Sequence, residues 1–260
     1  MSFMDELFGV SGRSVLITGG SRGIGLAIAE GFVKAGARVY ICSRKAEDCD
    51  NAARALSEHG TCVSLPGNVA DAEGRRTLLE RYRQHEDSLD ILINNAGALW
   101  AAPIAEYPES GWEKVFDLNV KAVFFLIQQF LPLIERNASL DNPGRIINVG
   151  SVNAIRIPDH ETYAYVSSKA AVHQLSRHLA GKLASRYVTV NVLAPGLYPS
   201  ALLANDMKIK GEAAVTGRVP MGRLANANDM AGAAIYLSSR AGSFLTGAVI
   251  PVDGGMATTV

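Results

Sequence analysis

The chain has 260 residues, 48% of them hydrophobic and 19% charged, with 25 Lys plus Arg against 25 Asp plus Glu. That length can bury a sizeable core as one domain, and the lack of any basic run interleaved with aromatics excludes nucleic acid as a partner. Zero net charge on an apolar-rich chain suits an oligomer rather than an electrostatic binder.

Short β-branched runs alternate with longer helical patterns. Ser14 to Thr18 reads as a first strand, followed by a helix from about Gly23 to Lys34. Arg38 to Cys42 is a second strand, with a helix from Glu47 to Glu58 behind it. Cys62 to Leu65 and Asp71 to Gln84 form the third pair, and Asp90 to Asn94 the fourth strand, before a long helix from about Trp112 to Arg136. Arg145 to Val149 is the fifth strand, and a helix carrying Tyr165 follows it. Val188 to Leu193 is the sixth strand and Ala248 to Val252 the seventh. Apolar strands separated by helices of this length predict a parallel sheet covered on both faces. The expectation is one doubly wound α/β domain of the Rossmann type, with about seven strands. Residues 195–223 show the least periodicity and follow a strand's carboxyl end, where ligands bind in such folds; they read as a substrate lobe or lid.

Cys42, Cys49 and Cys62 lack C-x-x-C spacing and read as free thiols in a reducing, cytoplasmic compartment. Asp5 and Glu6, without an apolar stretch beside them, argue against a secretory leader. The apolar run Val120 to Ile134 is broken by Lys121, Gln128, Gln129 and Pro132, which predicts a buried or interfacial helix rather than a membrane span.

Two constellations carry chemistry. Thr18-Gly19-Gly20-Ser21-Arg22-Gly23-Ile24-Gly25 joins the first strand to the first helix. Glycines allow the tight turn and let backbone N–H groups approach a pyrophosphate at the helix N-terminus, where the dipole favours anions. In that strand-to-helix position the loop predicts a nucleotide site. Further on, Tyr165 and Lys169 stand four apart on a helical stretch. At ~3.6 residues per turn they share one face, Cβ atoms roughly 6 Å apart. An ammonium there draws the phenol below its usual ~10, and a phenol so tuned exchanges protons with a carbinol or carbonyl oxygen near neutral pH. Tyr163 has Ser167, not a lysine, four residues on, and points elsewhere on the helix.

Thr18-Gly19-x-x-x-Gly23-x-Gly25, Asn94-Asn95-Ala96-Gly97, Asn119, Ser151, Tyr165-x-x-x-Lys169 and Pro195-Gly196 follow the order and spacing of the short-chain dehydrogenase/reductase family, which the whole chain resembles. The resemblance implies that Tyr165 is the general acid/base and that Lys169 tunes it and holds the nicotinamide ribose, both residues bordering the cofactor. Ser151 is implied to hold the substrate oxygen, and Asn119 to anchor a water in the proton relay behind Lys169. It further implies that Asn95, Ala96 and Gly97 flank the adenosine side, that Asn68-Val69 stands where the family has Asp-Val beside the adenine, and that Pro195-Gly196 passes near the nicotinamide carboxamide. The family's downstream Thr is Ser200 here at best.

NAD-selective members of the family place an Asp at the end of the second strand. This chain has Ser43 there, with Arg44 next and Arg22 in the glycine loop. Two guanidiniums and a hydroxyl, without an acid, suit a 2′-phosphate, so the expected cofactor is NADP(H).

Within the family the nearest resemblance is to 3-oxoacyl-carrier-protein reductases, including the type associated with rhamnolipid synthesis. Arginines that dock the carrier in bacterial fatty-acid reductases are Asn142 and Gly181 here. Leu99, Trp100, Val152, Asn153, Ile155, Arg156, His160, Leu197, Tyr198 and Leu202 lie on loops able to line an apolar pocket with a polar end. His160 reads as a loop histidine. None of the five histidines has chelating spacing, so no metal is expected. The resulting expectation is NADPH-dependent reduction of a ketone. The alternatives are an NAD(P)-linked alcohol, sugar, polyol or steroid dehydrogenase, and a dinucleotide-binding regulator. The substrate is a small molecule, no membrane is involved, and the family resemblance implies a homotetramer.

Overall fold

A computed structural model describes residues 2–259; the side chains of residues 201 and 202, and with them the expected pocket residue Leu202, lie outside the described set. The chain begins with a short helix, α1 (Phe3–Phe8), whose capping serine Ser2 accepts the Asp5 N–H while Asp5 accepts the Ser2 N–H. Strand and helix then alternate: β1 (Ser14–Thr18), α2 (Gly23–Lys34), β2 (Arg38–Cys42), α3 (Ala46–Leu56), β3 (Cys62–Ser64), α4 (Ala72–Tyr82) and β4 (Ile91–Asn94). The second half runs α5 (Glu109–Phe116), α6 (Ala122–Glu135), β5 (Gly144–Val149), α7 (Tyr163–Leu183) and β6 (Val188–Pro195). It finishes with α8 (Ala201–Lys210), α9 (Glu212–Thr216), α10 (Ala227–Ser238) and β7 (Val249–Val252).

All seven strands pair in parallel, in the order β3-β2-β1-β4-β5-β6-β7. The chain leaves β1 in one direction and returns at β4 to build in the other. That reversal opens a crevice at the strands' carboxyl ends, between the β1 and β4 tips. Alternation along each strand divides the core. Val15 and Ile17 join Phe32, Met230 and Leu237 on the side of α2, α3 and α10. Leu16 and Leu92 join Leu78, Tyr82, Phe130 and Leu183 on the side of α4, α6 and α7. Helices α2 and α10 touch where Gly31 faces Ala231; a Cβ at Gly31 would lie 2.4 Å from that of Ala231. Only glycine permits so close a crossing.

Three differences from the sequence reading have physical reasons. Helix α10 had no counterpart there. Small residues (Ala227, Ala231, Gly232, Ala233, Ala234) hide its apolar face, although Asn226 and Asp229 form a reciprocal cap at its start. The 195–223 segment holds two helices, α8 and α9. The long helix starts at Glu109 and is interrupted by a π-helical turn, Asp117–Lys121, where α5 passes into α6. By length and hydropathy the 27-residue stretch Glu109–Glu135 could cross a membrane. Here its stripe of Val115, Ala122, Leu126, Phe130 and Leu133 is buried within the fold, as expected for a core helix.

Candidate active site

The glycine loop is built around Thr18 and Asn95. The Thr18 hydroxyl accepts the N–H groups of Asn95 and Ala96, each at 3.1 Å, and the Asn95 amide donates to the carbonyls of Thr18 at 2.9 Å and Gly19 at 3.1 Å. Gly19 has φ +68°, and a side chain there would meet Asn95 Nδ2 at 2.8 Å. Gly25 packs so closely that a Cβ would lie 2.3 Å from the Gly19 carbonyl oxygen. Gly23, with φ +56°, has instead no heavy atom within 4 Å of where its Cβ would stand. Arg22 occupies the N-cap of α2 in an extended conformation with no side-chain capping bond. The first-turn N–H groups of α2 therefore remain available to an anion. Ser21 and Ile24 are half-buried in the loop.

Beside the loop, Arg22 and Arg44 are both exposed, and neither makes an ion pair with any described residue. Ser43 donates to the Lys45 carbonyl at 3.2 Å. Asn68 gives one amide hydrogen to Asp71, the N-cap of α4, at 2.7 Å, which leaves its second for a ligand; Val69 is buried beside it.

At the other end of the crevice Ser151 follows β5, and Tyr165 and Lys169 stand one turn apart on α7. Lys169 Nζ lies 5.7 Å from the Tyr165 ring centroid and donates to the Val149 carbonyl at 2.7 Å. Ser151 Oγ accepts the Asn153 N–H at 3.1 Å. Asn119 sits in the π-helical turn. Its Oδ1 accepts the Ala98 N–H at 2.8 Å, and its Nδ2 donates to the Ala98 carbonyl and to Ser168 Oγ, each at 2.9 Å. Gly97 lies between Asn119 and Lys169: a Cβ there would be 3.4 Å from Asn119 Oδ1 and 3.7 Å from Lys169 Nζ. The crevice thus brings together Ser151, Tyr165, Lys169, Asn119 and Gly97.

The electrostatics correct the sequence reading. Burial pushes the Tyr165 phenol above its ordinary value, and the group opposing that rise is the Ser151 hydroxyl, not Lys169. Burial also lowers Lys169 to about 8. The pair sits in a low-dielectric pocket that disfavours both charged forms, and Lys169 directs a donor at a main-chain carbonyl rather than at the phenol. A fully buried ammonium with one protein acceptor has N–H groups to spare, and the space over Gly23 leads to uncapped backbone donors. These are donors that could hold a dinucleotide: the N–H groups of the Gly19 to Gly25 turn would suit its phosphates and the Lys169 ammonium a hydroxyl.

Other expected residues have plainer surroundings. Pro195 ends β6 in register with Val252, and Gly196 lies so close to Asp253 that a Cβ would be 2.7 Å from its Cα. Ser200 caps α8 by accepting the Leu203 N–H at 3.2 Å. Tyr163 is exposed and donates to Glu161. Leu99 and Ile155 are exposed, and Leu197 is half-buried. His160 Nε2 lies 2.9 Å from Asp206 Oδ2, joining the loop after β5 to α8; no spacing signal connects residues 46 apart. Sequence reasoning also missed His173, whose Nε2 accepts the Ser151 N–H at 3.4 Å.

The chain is similar to known proteins along nearly its whole length. A family model described as enoyl-(acyl carrier protein) reductase matches residues 19–257. The chain is 48% identical over 255 residues to the rhamnolipids biosynthesis 3-oxoacyl-[acyl-carrier-protein] reductase of Pseudomonas aeruginosa, covering 97% of this chain and 99% of that one. It is 33% identical over 260 residues to 5-keto-D-gluconate 5-reductase of Escherichia coli, covering 99% and 100%. Among solved structures, the Pseudomonas aeruginosa RhlG/NADP active-site complex superposes with a TM-score of 0.94 at 47% identity, over 97% of this chain and 99% of that one.

Proposed function

The chain belongs to the short-chain dehydrogenase/reductase family, and we propose that it is an NADPH-dependent reductase of a ketone of the 3-oxoacyl class. The observation that carries this reading is the convergence of the Tyr165 phenol, the Ser151 hydroxyl and the Lys169 ammonium beyond the end of β5, with Lys169 Nζ 5.7 Å from the Tyr165 ring centroid and donating to the Val149 carbonyl. Reduction needs a proton donor beside the carbonyl oxygen, and a phenol, protonated at neutral pH, is one.

When bound, the dinucleotide supplies the hydride that reaches the carbonyl carbon. The residues supply the rest. Ser151 donates its hydroxyl hydrogen to the carbonyl oxygen and steadies the charge that grows there. Tyr165 gives its proton to that oxygen as the C–H bond forms, so hydride and proton together make the alcohol. Lys169 holds the ribose with the donors not directed at Val149, and Asn119, fixed through Ala98 and Ser168, backs the path by which Tyr165 regains its proton. Arg22, Arg44 and Ser43 would receive a 2′-phosphate, in keeping with the NADP of the solved relative.

The pocket loops bear Leu99, Trp100, Val152, Ile155, Leu197 and Tyr198, which favour an acyl chain over a polar substrate. Residues 195–223, with α8 and α9, form the substrate lobe. Asn142 and the exposed Gly181 replace the carrier-docking arginines of the fatty-acid reductases, although the Arg13 guanidinium donates to Asn142. A thioester presented free or on coenzyme A is therefore a substrate form to test beside a carrier-bound one. A sugar ketone is the second reading, favoured by the similarity to the 5-keto-D-gluconate reductase. Oxidation of NADPH followed at 340 nm with 3-oxoacyl thioesters and with 5-ketogluconate separates the two, and turnover with neither overturns both.

Exposed Trp112, Phe124, Phe125 and Tyr163 on α5, α6 and α7 support pairing of these helices between copies, as in a tetramer. Sedimentation showing only monomer at micromolar concentration would exclude it. Three buried, unpaired thiols suit a reducing cytoplasm.

A further inference from the structure

We propose that His173 is a positioning residue for the reaction: by accepting the Ser151 backbone N–H, its imidazole fixes where the serine hydroxyl meets the substrate oxygen. This rests on the assignment of Ser151 as the group that holds that oxygen.

Tyr165, Lys169 and His173 occupy three successive turns of α7, one stripe of the helix facing the end of β5. The last two grip the backbone on either side of Gly150. Lys169 donates to the Val149 carbonyl at 2.7 Å, and His173 Nε2 accepts the Ser151 N–H at 3.4 Å. Glycine at 150 is what lets the imidazole approach: a Cβ there would lie 2.2 Å from His173 Nε2 and 2.7 Å from Val192 Cγ1. An acceptor at Nε2 requires the ring proton on Nδ1, and an imidazolium would set N–H against N–H. The surroundings keep the ring neutral. Burial, then the positive charges of Lys169 and Arg177, lower His173 to about 4.

The consequence reaches the hydroxyl through a short lever. The Ser151 N–H is held by His173 and its Oγ by the Asn153 N–H. Loss of the first leaves the serine held by its Oγ and by its carbonyl, which accepts the Ala154 N–H at 3.1 Å, with its own N–H free to swing; an error well under an ångström at a reacting oxygen is costly. On its other side the imidazole walls a cavity of about 490 Å³ with Ile155, Gln174 and Arg177, so a replacement side chain has room to settle.

Three measurements test the assignment. In the parent protein, ¹⁵N NMR of the imidazole should show the Nδ1–H tautomer at pH 7; an Nε2–H tautomer or an imidazolium overturns the proposal without any variant. His173→Leu removes the acceptor, whereas His173→Gln places an amide oxygen near the former Nε2. The Leu variant should exchange its Ser151 amide at least about tenfold faster and lose about tenfold or more in kcat, while its KM for NADPH stays within about twofold. The Gln variant should recover both exchange and kcat to within about threefold. Equal kcat in the two variants, or a Ser151 amide indifferent to either, would overturn it. Amide exchange needs no substrate, so an inactive parent would defeat the proposed reaction and still leave the His173–Ser151 contact to be judged.

Discussion

Asn94 and Asn148 stand side by side in register on β4 and β5, joined Nδ2 to Oδ1 at 2.8 Å. Asn148 continues the chain to Ser176 Oγ at 2.9 Å, and Ser176 donates to the Val172 carbonyl at 2.7 Å. A fully buried line of amides and a hydroxyl therefore ties the sheet's centre to α7, two turns from Lys169.

Breaking that line should cost stability before it costs chemistry. Asn148→Ala strands the Asn94 amide and takes a donor from Ser176 in a dry interior, where each orphaned polar group costs about 1–3 kcal/mol. We expect a loss of about 2–4 kcal/mol by urea denaturation, with kcat falling less than about fivefold at temperatures where the variant is folded. A variant as stable as the parent would show that the amide line bears no load.

Tyr165→Phe should lose at least about a thousandfold in kcat and leave NADPH binding, followed by fluorescence, within about threefold. Turnover within tenfold of the parent would remove Tyr165 from its role. The pH behaviour has a definite sign. Burial raises the phenol, so the protonated donor persists to higher pH than in free tyrosine. Reduction should hold through neutral pH and decline only on the alkaline side, whereas alcohol oxidation, which needs the phenolate, should rise over that range. A reduction rate already falling between pH 6 and 7 would contradict the raised phenol.

Much of this was legible in the sequence. Hydrophobic runs locate every strand to within a residue or two, because strands buried on both faces are apolar throughout. The glycine loop and the Tyr165–Lys169 stripe depend on local spacing, which sequence preserves. The misses share a cause. Helix α10 buries small residues that carry little periodic signal, and its packing depends on Gly31, far away in the chain. The π-helical turn that carries Asn119 to Ala98 and Ser168 has no compositional mark. Proximity suggested that Lys169 would acidify the phenol. Burial, a property of the whole fold, reversed the sign.

Lys169 is held at a cost. Its pKa falls from 10.5 to about 8 through burial, which corresponds to about 3 kcal/mol of destabilisation at neutral pH, partly offset by the bond to Val149. The unfolded lysine binds its proton more tightly, so the cost is complete below about pH 8 and is relieved as pH rises toward 10.5. Lys169→Met should therefore abolish turnover yet stabilise the fold by about 1–2 kcal/mol at pH 7, with the gain shrinking toward pH 10. Paired urea denaturation curves at the two pH values measure it, and a Met variant less stable at pH 7 would contradict the account.

Cofactor choice should follow charge at the crevice rim. Arg22 and Arg44 have no carboxylate partner among the described residues, so a 2′-phosphate can engage both without displacing an existing ion pair. A charge-assisted bond of this kind contributes about 1.5–3 kcal/mol, so Arg44→Ala should lower kcat/KM for NADPH by about 10- to 100-fold and leave NADH nearly unchanged. Adding Ser43→Asp supplies a ribose hydroxyl acceptor and repels the phosphate, which should turn the preference toward NADH. Both sites are exposed, so the NADPH advantage of the parent should shrink with added salt. A parent enzyme with higher kcat/KM for NADH than for NADPH would show that these two guanidiniums are ordinary solvated side chains.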